Sequence, residues 1–413
     1  MRAALRTFLM LCLGPVLVLL GGLPSLLQTG QVDLRGWIWP CLMLIPLALF
    51  LSLRRGWPYA LWAGVGSFGT VLTFNILASS SNAAITDIGG FALVVALVIV
   101  AGVCIPRRLW IGLVASAAAL TYCWLVREAP LPATPSPRPK LAVVSALPLF
   151  WKEGEAGFGA RSDAPIITLL RARFDVQPAD SPLGTVMRDA NALLLAQPRA
   201  FSPAEFVALD NWVRDGGHLL LLADPLLRWP SSLPLGDRRR PPSISVMGPL
   251  LDHWGLQLLP PASAAEERRI LKDGRVLTTM GSSGFAMRPG TSCHVEERGL
   301  VARCQIGRGG AVLVADADLI DDRLWLADAA APQNVRQWSA DSAGFVIEEL
   351  KGGKVEQRRW LRSMADLLIA LRWSLLGGIG WAILGCVLLN WICRDRRDYG
   401  ARFRPTGEAS KQE

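Results

Sequence analysis

The residues of this 413-residue sequence best placed to do chemistry are carboxylates at the ends of apolar strands. A short run, Ala311–Ala315, reads as a buried strand and ends in Asp316-Ala317-Asp318, with Asp321 and Asp322 close behind. His218–Ala223, with four consecutive leucines, reads as another and ends in Asp224-Pro225. Open α/β sheets bind ligands outside the carboxyl ends of their strands. Carboxylates there can hold a cation or a sugar hydroxyl, or divide the work of acid and base. The same residues have a structural alternative. Asp316 and Asp318 can cap turns and a following helix, with Asp321 and Asp322 in solvent. That capping arrangement is the favoured one, and Asp224, Asp316 and Asp318 stand as the candidate ligand or partner contacts.

Other chemistries lack their residues. A phosphate-binding P-loop needs Gly-x-x-x-x-Gly-Lys-Ser/Thr, and the sole Gly-Lys pair, Gly353-Lys354, is followed by Val355. The three histidines, His218, His253 and His294, have no ligand-like spacing, so no metal site and no cofactor is expected. Cys293 and His294 are adjacent and point to opposite faces of a strand. No Gly-x-Ser-x-Gly elbow is present, and no catalytic residue is assigned. Cys293 and Cys304 flank a turn at Arg298-Gly299, which sets them opposite each other on a hairpin. Directly paired strand residues lie within disulfide reach, so the two are a candidate disulfide, the alternative being two half-buried thiols. The other six cysteines, Cys12, Cys41, Cys104, Cys123, Cys386 and Cys393, fall in or at apolar runs and read as small apolar residues.

The elements that position these groups begin with the membrane. Hydrophobic residues make up 51% of the chain and charged ones 19%, with a mean hydropathy of +0.33. That balance excludes a disordered chain, and eight cysteines are too few for a disulfide-dense miniprotein. Runs without charge extend over Thr7–Val32, Gly36–Leu53, Gly56–Thr86 (the span itself within Tyr59–Ser79), Ile88–Pro106, Leu109–Val126 and Trp373–Cys393. Each is long enough to cross a bilayer, giving six transmembrane helices. Arg2 and Arg6, Arg54 and Arg55, Arg107 and Arg108, and Arg394, Arg396 and Arg397 all fall on one side of this arrangement. The opposite loops, Pro24–Arg35 and Ser80–Gly90, carry one Arg between them. Both termini are therefore expected in the cytoplasm of an inner (cytoplasmic) membrane, with residues 128–372 extracytoplasmic. The flanking arginines account for a good share of the +9 formal charge, so lipid and not nucleic acid is the implied partner. No charged residue sits inside a span, and Asn75 is a solitary polar one.

Five organisational segments follow. Residues 1–127 form a five-helix membrane domain. Residues 128–139, with Pro130, Pro132, Pro135, Pro137 and Pro139, form an extended spacer. Residues 140–355 form the outer domain, 356–393 a juxtamembrane segment and the last span, and 394–413 a basic tail. Within the outer domain, Leu141–Leu147, Phe174–Val176 and Ala190–Ala196 read as strands and Ala164–Arg173 as a helix. Ser202, Pro203 and Glu205 form a capping box, with Phe201 and Phe206 as its hydrophobic staple. Phe206, Leu209, Trp212 and Val213 mark one helical face, and Gly216-Gly217 stops the helix. Ser245–Trp254 reads as a short helix ended by Gly255, and Arg275–Ile306 as antiparallel strands. Continuous apolar strands alternating with helices mean a mostly parallel sheet covered on both faces.

Gly216-Gly217-His218 leading into a leucine strand resembles the approach to the nucleophile in class I glutamine amidotransferase-like domains. Here that strand ends in Leu222-Ala223-Asp224-Pro225, so the nucleophile is absent. The stretch Asn191–Pro225, with Ser-Pro-x-Glu, a helix closing on Gly-Gly and a strand closing on Asp-Pro, resembles the GldG-type family. Gly309–Asp318 resembles that family's later strand and acidic turn. The likeness covers roughly Lys140–Cys393 and departs in the five N-terminal spans, where simpler members have one. It implies an auxiliary component of an uncharacterised ABC-type transport system, partnered by an ATPase and a permease, and brings no catalytic residue.

Three functions are consistent with these features, in descending order. The first is a non-enzymatic accessory or permease-associated subunit with an outward binding domain, which leaves room for a homo-oligomer. The second is a membrane-anchored sensor or scaffold with a degenerate amidotransferase-like domain. The third is an enzyme of envelope sugars or peptides.

Overall fold

The computed structural model describes residues 2–79, 84–134, 136–151, 162–234, 236–261 and 263–402. Loop residues 80–83, Pro135 of the spacer and the tail from 403 onward, on which expectations were placed, lie outside the described residues. The chain divides into two compact units, Met1–Glu128 with Arg359–Glu413, and Ala129–Arg358.

The first unit is helical because its runs are apolar around their whole circumference. In order come α1 (Arg2–Thr29), α2 (Ile38–Cys41), α3 (Leu44–Arg54), α4 (Trp57–Ala78), α5 (Ile85–Cys104) and α6 (Leu109–Leu125). The stretches Ala4–Thr29, Trp57–Ala78, Ile85–Cys104 and Met364–Ile392 are long and apolar enough to cross a membrane. The single span expected over Gly36–Leu53 is instead broken, with Leu34–Cys41 and Leu44–Arg54 meeting at 49°. Pro40 and Pro46 flank the break; proline has no N–H to donate and crowds the preceding turn. Helix α6 is shorter, at 17 residues.

The second unit is built on a seven-stranded sheet. Its elements in chain order are β1 (Lys140–Ser145), α7 (Pro165–Arg173), β2 (Asp175–Pro178), α8 (Thr185–Asp189), β3 (Ala192–Ala196), α9 (Pro203–Arg214) and β4 (His218–Leu222). There follow α10 (Gly248–His253), β5 (Leu256–Leu258), β6 (Glu266–Ile270), β7 (Val276–Met280), β8 (Phe285–Met287), β9 (Cys293–Glu296), β10 (Val301–Ile306) and β11 (Gly309–Val314). Two short helices, α11 (Asp322–Trp325) and α12 (Ser342–Glu349), close the unit. The sheet order is β2-β1-β3-β4-β11-β10-β9. Pairings from β2 to β11 are parallel, and β11–β10 and β10–β9 are antiparallel. Two further ladders, β5–β8 and β6–β7, are antiparallel pairs outside it. The central strands are buried over most of their length, Leu193–Leu195 and Leu219–Leu222 being without solvent contact, as a sheet covered on both faces requires.

Local chemistry sets the helix that leads into β4. Ser202 Oγ accepts from Glu205 N–H, and Glu205 Oε2 accepts from Ser202 N–H at 2.7 Å. Phe201 and Phe206 meet edge to face at 5.6 Å. Gly216 closes the helix at φ +117°, a conformation that side-chain-bearing residues avoid. Part of the proline segment is held against this unit: Leu131 N–H bonds the Gln333 carbonyl at 2.8 Å and the Leu131 side chain is buried.

The last helix, α13 (Met364–Arg402), returns to the first unit. It pairs with α4 through a reciprocal tryptophan lock. Trp62 Nε1 donates to the Trp381 carbonyl at 2.9 Å and Trp381 Nε1 to the Trp62 carbonyl at 3.0 Å, with the rings stacked at 4.4 Å. The chain entering α13 is stitched to two other helix ends: Gln31 bridges Trp360, and Ser79 bridges Leu361. Asn75 is not solitary. Its Nδ2 donates to the Val71 carbonyl and its Oδ1 accepts from Arg359 Nη2 at 3.4 Å. Asp87, in the first turn of α5 where an anion is favoured, pairs with Arg35 at 2.8 Å.

Candidate functional site

Strands β3, β4 and β11 lie side by side and parallel, so their carboxyl ends form one edge. Each ends in a polar residue: Gln197 after β3, Asp224 after β4, Asp316 and Asp318 after β11. The register pairs Leu222 with Val314, which brings the two acidic ends to the same level. The three carboxylates are brought together, but beneath the surface. Asp224, Asp316 and Asp318 are 0%, 0% and 1% exposed.

Their oxygens hold backbone N–H groups of separate loops. Asp224 Oδ1 accepts from Leu226 at 2.7 Å, and its Oδ2 from Ala317 and Asp318 at 2.9 and 3.3 Å. Asp316 accepts from Leu319 at 2.7 Å through Oδ1 and from Met280 at 2.8 Å through Oδ2. Asp318 Oδ2 accepts from Arg228 at 2.6 Å. Asp318 Oδ1 is buried with no hydrogen-bond partner among the described residues. The expected ligand-contact role is therefore corrected: solvent reaches none of the three, and their lone pairs staple the loops after β4 and β11 to the end of β7. Asp321 is also buried, not solvated; it caps α11 through the Arg323 N–H and pairs with the Arg323 guanidinium at 2.5 Å.

Burial sets the protonation of the cluster. Removal from water pushes the Asp224 carboxyl up to about 6, against the pull of its three N–H donors. Burial, then the neighbouring Asp224 charge, pushes Asp318 up to about 7. Asp316 is raised well above the usual carboxylate range by burial and then by Asp224 and Asp318. Carboxyls that keep protons near neutrality relieve a repulsion that three buried anions could not sustain.

Sequence reasoning passed over Gln197. It is fully buried at φ +40°, and it grips the backbone of Asp224 on both sides: Oε1 accepts from Asp224 N–H at 2.9 Å and Nε2 donates to the Asp224 carbonyl at 3.3 Å. Its Nε2 also reaches the Pro242 carbonyl at 3.0 Å. The available signal was one amide directly after a strand of five apolar residues.

Open space lies nearby. A cleft of about 480 Å³ is lined by Pro225, Ile244, Ser245, Leu256 and Leu258, beside the loop that Asp224 anchors. A second, more polar cleft of about 380 Å³ is lined by Arg214, His253, Thr291, Ser292 and Gln305. Asp252 and Arg288 line both and pair with each other at 2.8 Å. Both volumes fall in the range of small-ligand sites, roughly 300–1,000 Å³. Among the described residues no group of three or more His, Cys, Asp or Glu side chains converges as a metal site. Two of the three histidines have structural partners. His218 Nε2–H donates to the Glu349 carbonyl at 2.5 Å, and burial lowers the ring's pKa. His253 lies 3.6 Å from Asp210. Cys293 and Cys304 pair directly across β9–β10 and are joined as a disulfide, their Cα atoms 4.0 Å apart.

Residues 138–266 match the model of the auxiliary-component family described as an ABC-type uncharacterized transport system. No curated protein matches the chain. Among solved structures, the exo-β-1,4-mannosidase Op5Man5 from Opitutaceae bacterium strain TAV5 aligns at 13% identity and a TM-score of 0.28, over 52% of this chain and 36% of that one. A β-galactosidase from Rahnella sp. R3 aligns at 11% identity and 0.31, over 59% and 35%. The cytoplasmic protein STM1381 from Salmonella typhimurium LT2 aligns at 12% and 0.32, over 53% of this chain and 100% of that one. This chain spans about a third of the length of the two glycosidases. At these identities the glycosidase chemistry stays with those proteins.

Proposed function

We propose that this chain is a non-enzymatic accessory subunit of an ABC-type transport system, of the GldG-like kind, working beside a separate ATPase and permease. The observation that carries the reading is the joining, in one chain, of a domain matching that family over residues 138–266 to a set of membrane-length apolar helices. Counting the bent pair Leu34–Arg54 and the shorter α6 as crossings makes six, with both termini in the cytoplasm of the inner membrane and residues 128–372 outside. The ATPase is another chain, because this one lacks the P-loop sequence. The disulfide between Cys293 and Cys304 supports an oxidising compartment for the outer domain. With the carboxylates sealed, recognition falls to the two clefts flanking the Asp252–Arg288 pair.

The test is affinity purification of the tagged full chain from its native membrane in mild detergent, with partners identified by mass spectrometry. A P-loop ATPase and a permease are expected to co-purify in fixed proportion. Recovery of the chain alone from membranes that contain both would overturn the reading.

A further inference from the structure

The two clefts of the outer unit differ in chemistry and share one wall. The larger is lined by the aliphatic side chains of Pro225, Ile244, Leu258 and Leu259, with no aromatic ring among its lining residues. Ile244 and Leu259 are exposed, so apolar surface meets water there. The smaller is lined by donors and cations, Arg214, His253, Ser292 and Gln305. Arg214 donates through Nε to Asp210 at 2.6 Å and lies 3.3 Å from His253 through Nη2; its Nη1 has no hydrogen bond among the described residues. Asp252 and Arg288 are the two residues that line both clefts. Their side chains are 54% and 50% exposed and meet at 2.8 Å. An ion pair so exposed is weakly held, and an anion that reaches Arg288 competes with Asp252 for it. In the polar cleft, two lining guanidiniums face one lining carboxylate.

We propose that the two clefts together bind one amphiphilic anion, an alkyl chain ended by a phosphate or a carboxylate. The head displaces Asp252 from Arg288 and takes donors from Arg214 and Ser292. The chain lies along Ile244, Leu258 and Leu259. Each half of such a ligand answers one cleft. A guanidinium recognises carboxylate and phosphate alike, through paired donors in a fixed fork, and hydrogen bonds to a charged acceptor are the strong ones. Covering the aliphatic side chains contributes in proportion to the apolar area removed from water. A free inorganic anion would leave that surface wet, and a purely apolar molecule would leave the cations unmatched. The aliphatic lining, without a ring to stack on, selects a chain over a nucleobase. The ligand's role as the substrate recognised for transport rests on the accessory-subunit reading; the binding itself does not.

The experiment uses the full chain in phosphatidylcholine nanodiscs and a dodecyl phosphate that carries a diazirine in its chain. Adducts are mapped by mass spectrometry and normalised to those on α4, which report partition into the bilayer. Labelling is expected at Ile244 and over residues 256–259. Unlabelled dodecyl phosphate and dodecanoate should both suppress it, whereas dodecanol or inorganic phosphate at the same concentration should not. Arg288→Ala is expected to cut the labelling about tenfold, and Ile244→Asp about fivefold. Asp252→Ala is expected to raise it roughly threefold, because it removes the competing carboxylate. The opposite signs at 252 and 288 separate competition from a structural pair, and unchanged melting temperatures show that the variants fold. Labelling confined to the membrane helices overturns the proposal, as does a loss with both Asp252→Ala and Arg288→Ala. Suppression by inorganic phosphate alone reduces the site to an anion site, and suppression by dodecanol alone to an apolar patch; either result rejects the amphiphile. Suppression by the peptide Ala-Leu-Val-Leu and not by dodecyl phosphate assigns the clefts to a peptide end and rejects it too. If the cleft stays unlabelled while the ATPase and permease co-purify, the amphiphile falls and the accessory reading stands. If the cleft is labelled as expected and neither co-purifies, the accessory reading falls and the amphiphile site stands.

Discussion

The three buried aspartates look alike in sequence but differ in their free lone pairs. Both oxygens of Asp316 accept N–H groups, and so do both of Asp224. Only Asp318 has an oxygen to spare. An amide at 318 can keep the bond from Arg228 N–H and turn its NH2 toward the neighbouring carboxyls. An amide at 316 must aim an NH2 at a donor. Asp318→Asn is therefore expected to raise the melting temperature at pH 8 by roughly 2–8 °C, equivalent to about 1–2 kcal/mol. Asp316→Asn is expected to cost about 1–3 kcal/mol. Calorimetry of the two variants decides it: equal effects would mean the hydrogen-bond assignment is wrong. The raised carboxyls also set a pH dependence. Between about pH 4 and pH 7 the folded domain holds more protons than the unfolded chain, so stability declines as pH rises through that window. Melting temperatures across that range should fall in the wild type and fall less steeply in Asp318→Asn, where Asp224 and Asp316 remain raised by burial.

Elements were more legible than sites. The strands around Leu141, Leu193 and Leu220, the capping box at Ser202 and the hairpin carrying both cysteines were readable because each is dictated by local pattern: unbroken apolar runs, a capping oxygen three residues from its partner, a turn at fixed distance. Ser202→Ala should accordingly cost about 1 kcal/mol in chemical denaturation. The bend between α2 and α3 was missed because a hydropathy run counts residues and ignores where proline removes a donor. The burial of Asp224 and Asp316 was also beyond local reading, since it depends on the loop before Ser245 and the end of β7 folding over the strand edge. Gly309 shows tertiary constraint at its sharpest. A Cβ there would stand against the Val213 and Gly217 carbonyls, well inside van der Waals contact, whereas one on Gly310 would meet its nearest neighbour, the Cys304 carbonyl, at 3.7 Å. Gly309→Ala is expected to abolish or severely weaken folding of the outer unit by proteolysis assay, with Gly310→Ala close to wild type.

For the whole molecule, topology is the quantity to measure. Val207 lies exposed on α9 and Arg55 follows α3. With a membrane-impermeant thiol reagent, Val207→Cys is expected to label in intact spheroplasts, and Arg55→Cys only after permeabilisation; the reverse pattern would invert the arrangement. The tryptophan lock between α4 and α13 has a consequence for how the protein is made. Its two halves stand 319 residues apart in the chain, and Asn75 waits for Arg359 across 284. At about 5–20 residues per second of synthesis, the first helices stay incomplete for on the order of tens of seconds, until the ribosome has delivered all of the intervening domain. A chain that stalls or is cut within that domain never supplies Arg359 or Trp381. It leaves the Trp62 indole N–H without its carbonyl acceptor and the Asn75 amide oxygen without its guanidinium donor, so an unfinished copy differs from a complete one at both positions.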